Sequence, residues 1–242
     1  MNAVTGALEA GYTHFDCAQA YGNEQYLGQA VRDAGVNREE LFITTKIWTE
    51  HMTAAMTSQS FEWSLKKLQM DYVDLLLLHF PVTGTRAEAW LELEKIHAAG
   101  TAKHIGVSNY TIKHLEELLQ TCRVRPAVNQ VELSVVLQQP ELVEYCKQHD
   151  IVVEAYTPLV EGQFFDDPTL QAIADKRRKT VPQIMLRWCI DYGVVCLTKS
   201  AKPERIKQNI NIFDFKLNKR EMAKLKKLDQ NHRTNWDPTN VA

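Results

Sequence analysis

An almost continuously apolar run at residues 72–79 constrains the fold more than any other feature of the sequence. It reads Tyr-Val-Asp-Leu-Leu-Leu-Leu-His. A strand with one face in solvent alternates apolar and polar residues, whereas a strand buried on both faces is apolar throughout. Such strands belong to parallel sheets, in which a helix usually connects each strand to the next. The run therefore predicts an α/β protein.

The rest of the chain alternates strand and helix patterns, as this class requires. Strands are expected at 12–15, 41–46, 72–79, 102–107, 127–131, 151–156 and 194–198. Helices are expected at 2–10, 23–34, 53–69, 86–99, 111–120, 140–148, 168–178, 182–191, 203–210 and 218–228. Seven strands fit either a (β/α)8 barrel that lacks one strand or an open sheet. Since no Gly-x-Gly-x-x-Gly follows a strand, a Rossmann dinucleotide site is not supported. No linker is visible, so we expect a single domain over 1–242.

Composition excludes several classes of partner. The 28 Lys and Arg residues nearly balance 30 Asp and Glu residues, which gives no reason to expect nucleic acid or an anionic membrane surface. Five scattered cysteines without a Cys-x-x-Cys pair argue against structural zinc and disulfides. No apolar run approaches the roughly 20 residues of a membrane span, and the first residues do not resemble a signal peptide. We therefore expect a cytoplasmic protein.

Polar groups follow nearly every predicted strand. In chain order they are Asp16 with Tyr21, Lys46, His79, Ser108 with Asn109, Gln130, Tyr156, and Lys199 with Ser200. Any one of them alone would be an ordinary loop or cap residue. In an alternating barrel, however, these strand ends lie on the face where active sites are built. Their recurrence therefore predicts an active site.

Four of these side chains suit the reduction of a carbonyl group. A tyrosine pKa of about 10 is high for an acid at neutral pH, but a neighbouring Lys46 would lower the pKa of Tyr21. Asp16 would hold that lysine, and His79 could orient or polarise a carbonyl oxygen. The reduction also needs a hydride, which side chains do not supply. The set therefore implies a nicotinamide cofactor.

With these motifs the chain resembles the aldo-keto reductase family over essentially its whole length. The motifs are Gly-Tyr-Thr-His-Phe-Asp at 11–16 with Ala18, Tyr21, Asn23 and Glu24, then Thr-Lys at 45–46, Asp-Tyr-Val-Asp-Leu at 71–75, His-Phe-Pro at 79–81, Ile-Gly-Val-Ser-Asn-Tyr at 105–110, Asn-Gln-Val-Glu at 129–132, Ala-Tyr-Thr-Pro-Leu at 155–159 and Thr-Lys-Ser at 198–200. The resemblance implies the (β/α)8 barrel (TIM barrel) fold, with seven of its eight strands in this chain. It implies NADPH-dependent reduction of aldehydes or ketones to alcohols.

The resemblance also implies roles for individual residues. Tyr21 would donate the proton, Lys46 and Asp16 would tune it, and His79 would orient the substrate. The cofactor residues would include Asp16. They would further be Ser108, Asn109 and Gln130 on the nicotinamide carboxamide, Tyr156 stacked on the ring, Thr157 and Leu159 along the pyrophosphate, Lys199, Ser200 and Arg205 on the 2′-phosphate, and Asn209 on the adenine. Two cations and a hydroxyl suit a phosphate, which favours NADPH over NADH.

The sequence indicates less about the substrate than about the cofactor. Trp48 and Phe80 would line an apolar carbonyl pocket together with Trp236, by the same resemblance. The loops after His79 and Tyr156 are short, which favours small aldehydes, dicarbonyls or keto sugars over steroid-sized substrates. We expect a monomer without a metal ion.

Two alternative functions remain. One follows from a difference between this chain and the family, and the other from a partial match to a metal-binding pattern. Members of the family begin with a β-hairpin and a first strand that have no counterpart before the helix at 2–10, so we expect a truncated chain that is less stable and binds cofactor weakly. A truncated or catalytically silent NADP-binding barrel is the resulting alternative. A metal-dependent hydrolase is suggested by His14 and Asp16, two residues apart. It is disfavoured because later strand ends lack the required histidines.

Overall fold

The computed structural model describes residues 3–241, which divide by their contacts into two compact units. The first unit contains residues 3–129 and 238–241, and the second contains residues 130–237.

The first unit alternates helices with parallel strands. Its strands are β1 (His14–Asp16), β2 (Phe42–Ile47), β3 (Val73–Leu78) and β4 (Ala102–Ser108), and they pair in chain order. Its helices are α1 (Ala3–Glu9), α2 (Glu24–Ala34), α3 (Met56–Leu68), α4 (Arg86–Ala98) and α5 (Ile112–Thr121). Every residue of β3 is buried, as the apolar run at 72–79 predicts.

The second unit continues the same alternation. Its strands are β5 (Val128–Glu132), whose first two residues belong to the first unit, β6 (Val152–Tyr156) and β7 (Val195–Cys196). Its helices are α6 (Pro140–Gln148), α7 (Pro168–Arg177), α8 (Val181–Tyr192), α9 (Pro203–Ile210) and α10 (Lys219–Lys226). The described residues thus contain the seven strands and ten helices that the sequence pattern predicts.

The register of the first three strands places the candidate catalytic side chains. Asp16 is the last residue of β1 and pairs with Thr44, two residues before Lys46 on β2. Lys46 in turn pairs with Leu77, two residues before His79. Side chains two residues apart on a strand point to the same face, so Asp16, Lys46 and His79 share one face.

Some element boundaries differ from the prediction. The strand expected at 12–15 is shorter and later, because its pairing with β2 begins at His14 opposite Phe42. The strand expected at 194–198 is only the two residues of β7, because just Val195 and Cys196 pair with β6. Four short 3₁₀ turns at 19–21, 38–40, 49–51 and 160–162 were not predicted. Within residues 3–241, no helix is long and apolar enough to cross a membrane.

Candidate active site

A buried ion pair at the end of β1 and β2 is the centre of the candidate site. The Lys46 side chain is wholly inaccessible to solvent, and its ammonium donates hydrogen bonds to the Asp16 carboxylate and, at 2.9 Å, to the Cys17 carbonyl oxygen. A buried ammonium needs a negative partner, because desolvation without one is costly. Asp16 therefore keeps Lys46 charged inside the protein.

Tyr21 lies over this ion pair at the end of a 3₁₀ turn. The turn closes with a hydrogen bond from the Tyr21 N–H to the Ala18 carbonyl at 3.1 Å, and Gly22 follows in the left-handed conformation. The Lys46 Nζ atom is 5.1 Å from the centre of the Tyr21 ring. Tyr21 keeps 52% of its surface exposed, so its ring is open to a ligand.

The imidazole ring of His79 contacts two aromatic side chains. Its ring centre is 5.8 Å from that of Tyr21 and 5.3 Å from that of Trp48, both in edge-to-face geometry. The backbone N–H of His79 donates a hydrogen bond to the Ile47 carbonyl at 3.1 Å, which continues the pairing of β3 with β2. The structure thus brings Asp16, Tyr21, Lys46, His79 and Trp48 together. Phe80 follows directly and is partly buried.

The electrostatics of the four groups follow from this geometry. Burial and the nearby Lys46 charge lower the pKa of His79 to about 3, so its imidazole is neutral at physiological pH. Burial acts to lower the pKa of Lys46, but Asp16, Tyr21 and Cys17 together outweigh it, and the net direction is upward.

For Tyr21, burial raises the pKa, while Lys46 opposes this rise. Lys46 therefore acts on this pKa in the predicted direction, although burial outweighs it and the net direction is upward. At neutral pH the site therefore contains a protonated tyrosine, a charged lysine and a neutral histidine.

Two predicted carboxamide residues lie beside His79 in the first unit. Ser108 ends β4, and Asn109 follows it with a left-handed backbone (φ 65°); both are at least 95% buried. The Asn109 Nδ2 atom donates to the His79 carbonyl oxygen at 3.0 Å and to the Ser108 hydroxyl at 3.1 Å. Two buried polar side chains are thereby fixed next to the candidate catalytic strand end.

The second unit contains the remaining predicted cofactor residues. Gln130 is buried on β5, and its Nε2 atom donates to Glu154 at 2.9 Å. Tyr156 ends β6 and is partly buried. Thr157 has a left-handed backbone (φ 52°), which is strained for a β-branched residue, and its hydroxyl accepts from Asn235 Nδ2 at 3.1 Å. Leu159 is partly buried in the same loop.

The predicted 2′-phosphate residues lie on and before α9. Lys199 and Arg205 are exposed, and neither forms an ion pair within the described part of the chain. The Ser200 hydroxyl accepts from the Lys202 N–H at 3.2 Å, and Asn209 is buried and donates to Thr198 at 3.2 Å. Two exposed cations and a hydroxyl are side chains of the kind that bind a phosphate dianion.

Sequence reasoning missed several residues that support the site. Asn23 stands in the predicted motif directly before α2, but its side chain does not cap that helix. Instead, it accepts a hydrogen bond from the Cys17 thiol at 3.0 Å. Buried Glu132 accepts hydrogen bonds from residues 234 and 235. No local pattern predicts the Glu132 contacts, because their partners are about a hundred residues away in the sequence. Among residues 3–241, no cluster of three His, Cys, Asp or Glu side chains could hold a metal ion.

Comparison with known proteins decides the family. A single family model, described as the aldo/keto reductase family, matches residues 1–230. The chain belongs to the aldo/keto reductase family. Among its relatives, the glyoxal reductase of Bacillus subtilis is 43% identical over 98% of this chain and 86% of its own length. The methylglyoxal reductase DkgA of Escherichia coli K12 is 42% identical over 98% of this chain and 87% of its own length.

Solved structures of this family match the fold. An aldo-keto reductase from a deep-sea metagenome library, MGS-M4, has a TM-score of 0.97 and 40% identity, covering 100% of this chain and 90% of its own. A Bombyx mori aldo-keto reductase in complex with NADP has a TM-score of 0.90 and 38% identity, covering 96% of this chain and 83% of its own.

These matches bear out several predictions from the sequence. The chain has the α/β fold of the aldo-keto reductase barrels. It is an NADP-dependent oxidoreductase that reduces aldehydes or ketones to alcohols with NADPH. Nothing in the comparisons supports the alternative of a silent NADP-binding barrel.

Proposed function

We propose that Tyr21 is the proton donor of this reductase and that its substrates are small 2-oxoaldehydes such as glyoxal and methylglyoxal. The observation that carries the proposal is the wholly buried Lys46 ammonium, held by Asp16 and situated 5.1 Å from the centre of the Tyr21 ring. An ion pair that served stability alone would not need a tyrosine above it that keeps 52% of its residue surface exposed. The pair therefore has a chemical use at this strand end.

The cofactor, when bound, supplies a hydride to the carbonyl carbon. Negative charge then builds on the carbonyl oxygen, and the Tyr21 hydroxyl donates its proton to that oxygen. Lys46 stabilises the tyrosinate that remains, since a positive charge lowers the free energy of a neighbouring anion in a poorly solvated site. Asp16 balances the lysine charge.

His79 orients the substrate as a neutral hydrogen-bonding group. With a pKa of about 3, its imidazole does not compete with Tyr21 as an acid near pH 7. Its Nδ1 atom is buried without a hydrogen-bond partner in the part of the chain that is described. A buried polar atom left in this way is uncommon, and it fits a site where a ligand completes the hydrogen bonding.

The predicted cofactor residues have chemical groups that suit the binding of NADPH. Ser108, Asn109 and Gln130 offer buried hydrogen-bonding groups of the kind a carboxamide needs. Tyr156 offers an aromatic face, and Thr157 and Leu159 follow it in the chain. Lys199, Ser200 and Arg205 would hold the 2′-phosphate, and Asn209 would hold the adenine.

Replacement of Arg205 tests the phosphate assignment. Arg205→Ala removes a charge-assisted hydrogen bond, so the Kd for NADPH should rise by at least about tenfold while the Kd for NADH stays unchanged. Arg220→Ala, an exposed arginine on α10, is the matched control. An equal loss for both cofactors would contradict the assignment.

The substrate class rests on three supports. Two relatives are named for glyoxal and methylglyoxal. Trp48 packs against His79 and limits the space beside it. The segment between β3 and α4 is short, which leaves little chain to build a wide pocket. Trp236, exposed over 57% of its surface, would be a further pocket residue.

Steady-state kinetics tests the substrate class. NADPH oxidation should be efficient with methylglyoxal and glyoxal, and at least about tenfold less efficient with a steroid ketone of similar solubility. A higher efficiency with the steroid ketone than with methylglyoxal and glyoxal would refute the proposal. Absence of turnover with every carbonyl, despite NADPH binding, would refute the assigned proton donor as well.

We also propose that residues 1–242 work as a single domain, as a monomer in the cytoplasm, and without nucleic acid. One family model spans residues 1–230, and all five cysteines are free thiols, as a reducing compartment favours. Light scattering after gel filtration should give the mass of one chain. A dimer mass would overturn the monomer assignment.

A further inference from the structure

One amide side chain beside Tyr21 has all of its hydrogen-bonding capacity used. The Gln19 Nε2 atom donates to the Ser60 carbonyl at 3.1 Å and to the Ser64 hydroxyl at 3.0 Å. Its Oε1 atom accepts from the Trp48 N–H at 2.9 Å and from His51 Nδ1 at 2.9 Å. An amide has two N–H donors and two acceptor positions, so Gln19 makes every bond that it can.

These four bonds tie together three segments of the first unit. Gln19 begins the 3₁₀ turn that ends at Tyr21. Trp48 follows the last residue of β2 and directly precedes the next 3₁₀ turn. Ser60 and Ser64 are buried on α3, which is a rigid support for the donor side of the amide. Gln19 therefore fixes the distance from the Tyr21 turn to the Trp48 backbone.

The two segments joined by the Gln19 oxygen both contact His79. The Tyr21 and Trp48 rings approach His79 from 5.8 and 5.3 Å, each edge to face. A shift of either ring changes the space beside the imidazole. Displacements of about 1 Å at a reacting centre can cost a hundredfold in rate, so the position of this amide has consequences for catalysis.

We propose that Gln19 is a positioning residue for substrate selection, which acts by holding Trp48 in place beside His79 and Tyr21. The proposal rests on the proposed function, since it assumes that the carbonyl binds between these rings. The acceptor side of the amide sets the width of the pocket through Trp48. The donor side anchors the turn to α3.

Two substitutions separate the two sides of the amide. Gln19→Met keeps the length of the side chain but removes all four bonds. Gln19→Glu keeps one acceptor oxygen for the Trp48 N–H and His51, but it loses both donors and places the second carboxylate oxygen against the Ser60 carbonyl. Gln29→Met, on the exposed face of α2, is the matched control, because Gln29 bonds only to exposed neighbours on its own helix.

The readout is the ratio of kcat/KM for phenylglyoxal to that for methylglyoxal. With Trp48 released, Gln19→Met should raise this ratio about tenfold. Gln19→Glu should leave the ratio within twofold of wild type while it lowers the melting temperature. Gln29→Met should leave the ratio and the melting temperature unchanged. A purely structural role predicts instead that Gln19→Met lowers both kcat/KM values by the same factor, which would overturn the proposal.

A double-mutant cycle identifies the route of the effect. Trp48→Ala should raise the ratio, and adding Gln19→Met to it should change the ratio no further. An additional, independent change in the double variant would contradict action through Trp48. If Gln19→Met does not fold, Gln19→Asn replaces it, since the shorter amide does not reach both sides.

Failure of this inference is distinguishable from failure of the proposed function. Wild-type turnover that needs Tyr21, with a ratio that Gln19 does not influence, refutes only the role of Gln19. Turnover that survives Tyr21→Phe refutes the proposed function. In that case the indole N–H signal of Trp48 in an NMR spectrum still decides whether Gln19→Met moves Trp48, and an unmoved signal overturns the inference.

Discussion

Lowering the pH from 7 to 5 should destabilise this protein through His79. Burial and Lys46 lower the pKa of the folded His79 to about 3, whereas the unfolded chain has the ordinary value of 6.5. The unfolded state therefore binds more protons than the folded state between these two values. Protons stabilise the state that binds more of them, so the free energy of unfolding falls as the pH is lowered through 6.5 and stops falling near 3.

The size of the effect follows from the same two values. Below the unfolded pKa, the loss approaches about 1.4 kcal/mol for each pH unit. Between pH 7 and pH 5 the unfolded histidine goes from mostly neutral to almost fully charged, while the folded one stays neutral. The integrated loss is about 2 kcal/mol. Because His79 is only 8% exposed, solvent screening reduces it little.

Urea unfolding at pH 7 and pH 5, followed by tryptophan fluorescence, measures this loss. Other titrating groups contribute too, since burial also lowers the pKa of His14. Wild type must therefore be compared with His79→Gln, in which those contributions are retained. The variant should lose about 2 kcal/mol less than wild type between the two pH values. Equal losses in the two proteins would refute the assignment of a neutral, buried His79.

Two further changes test the structure around the site. Asp16→Asn leaves the Lys46 ammonium buried without a negative partner, so unfolding in urea should show a loss of about 3–5 kcal/mol; an unchanged midpoint would contradict the buried pair. Gly28→Ala on α2 would place a Cβ atom 2.0 Å from the Leu68 carbonyl oxygen. Overpacking should outweigh the better helix propensity of alanine and cost about 1–3 kcal/mol in the same assay, and a stabilised variant would show that the helices separate readily.

The sequence predicted the order of elements well, because each element has its own local signature. The apolar run at 72–79 marks a strand buried on both faces, and the left-handed Gly35 marks the end of α2. Strand ends were predicted less well where pairing decides them. Leu197 and Thr198 have apolar or β-branched side chains, yet β7 ends at Cys196 because only two of its residues pair with β6.

In the candidate site, too, features with a local sequence signature could be predicted, whereas those that depend on the folded environment could not. Asp16, Lys46 and His79 could be predicted because each follows a strand pattern, and parallel strands bring such positions together. The pKa of Tyr21 could not, since its direction depends on the burial of the phenol as well as on Lys46. Gln19 was missed because its partners at 48, 51, 60 and 64 lie far along the chain, and no local pattern records that they meet.

The central claim is that Tyr21 donates the proton to the carbonyl oxygen. Tyr21→Phe removes one hydroxyl and keeps the ring that packs against His79. With NADPH and methylglyoxal, kcat should fall by at least about a hundredfold, because general acid catalysis contributes factors of that size, while the Kd for NADPH measured by fluorescence quenching stays within twofold of wild type. A kcat equal to that of wild type would contradict the claim.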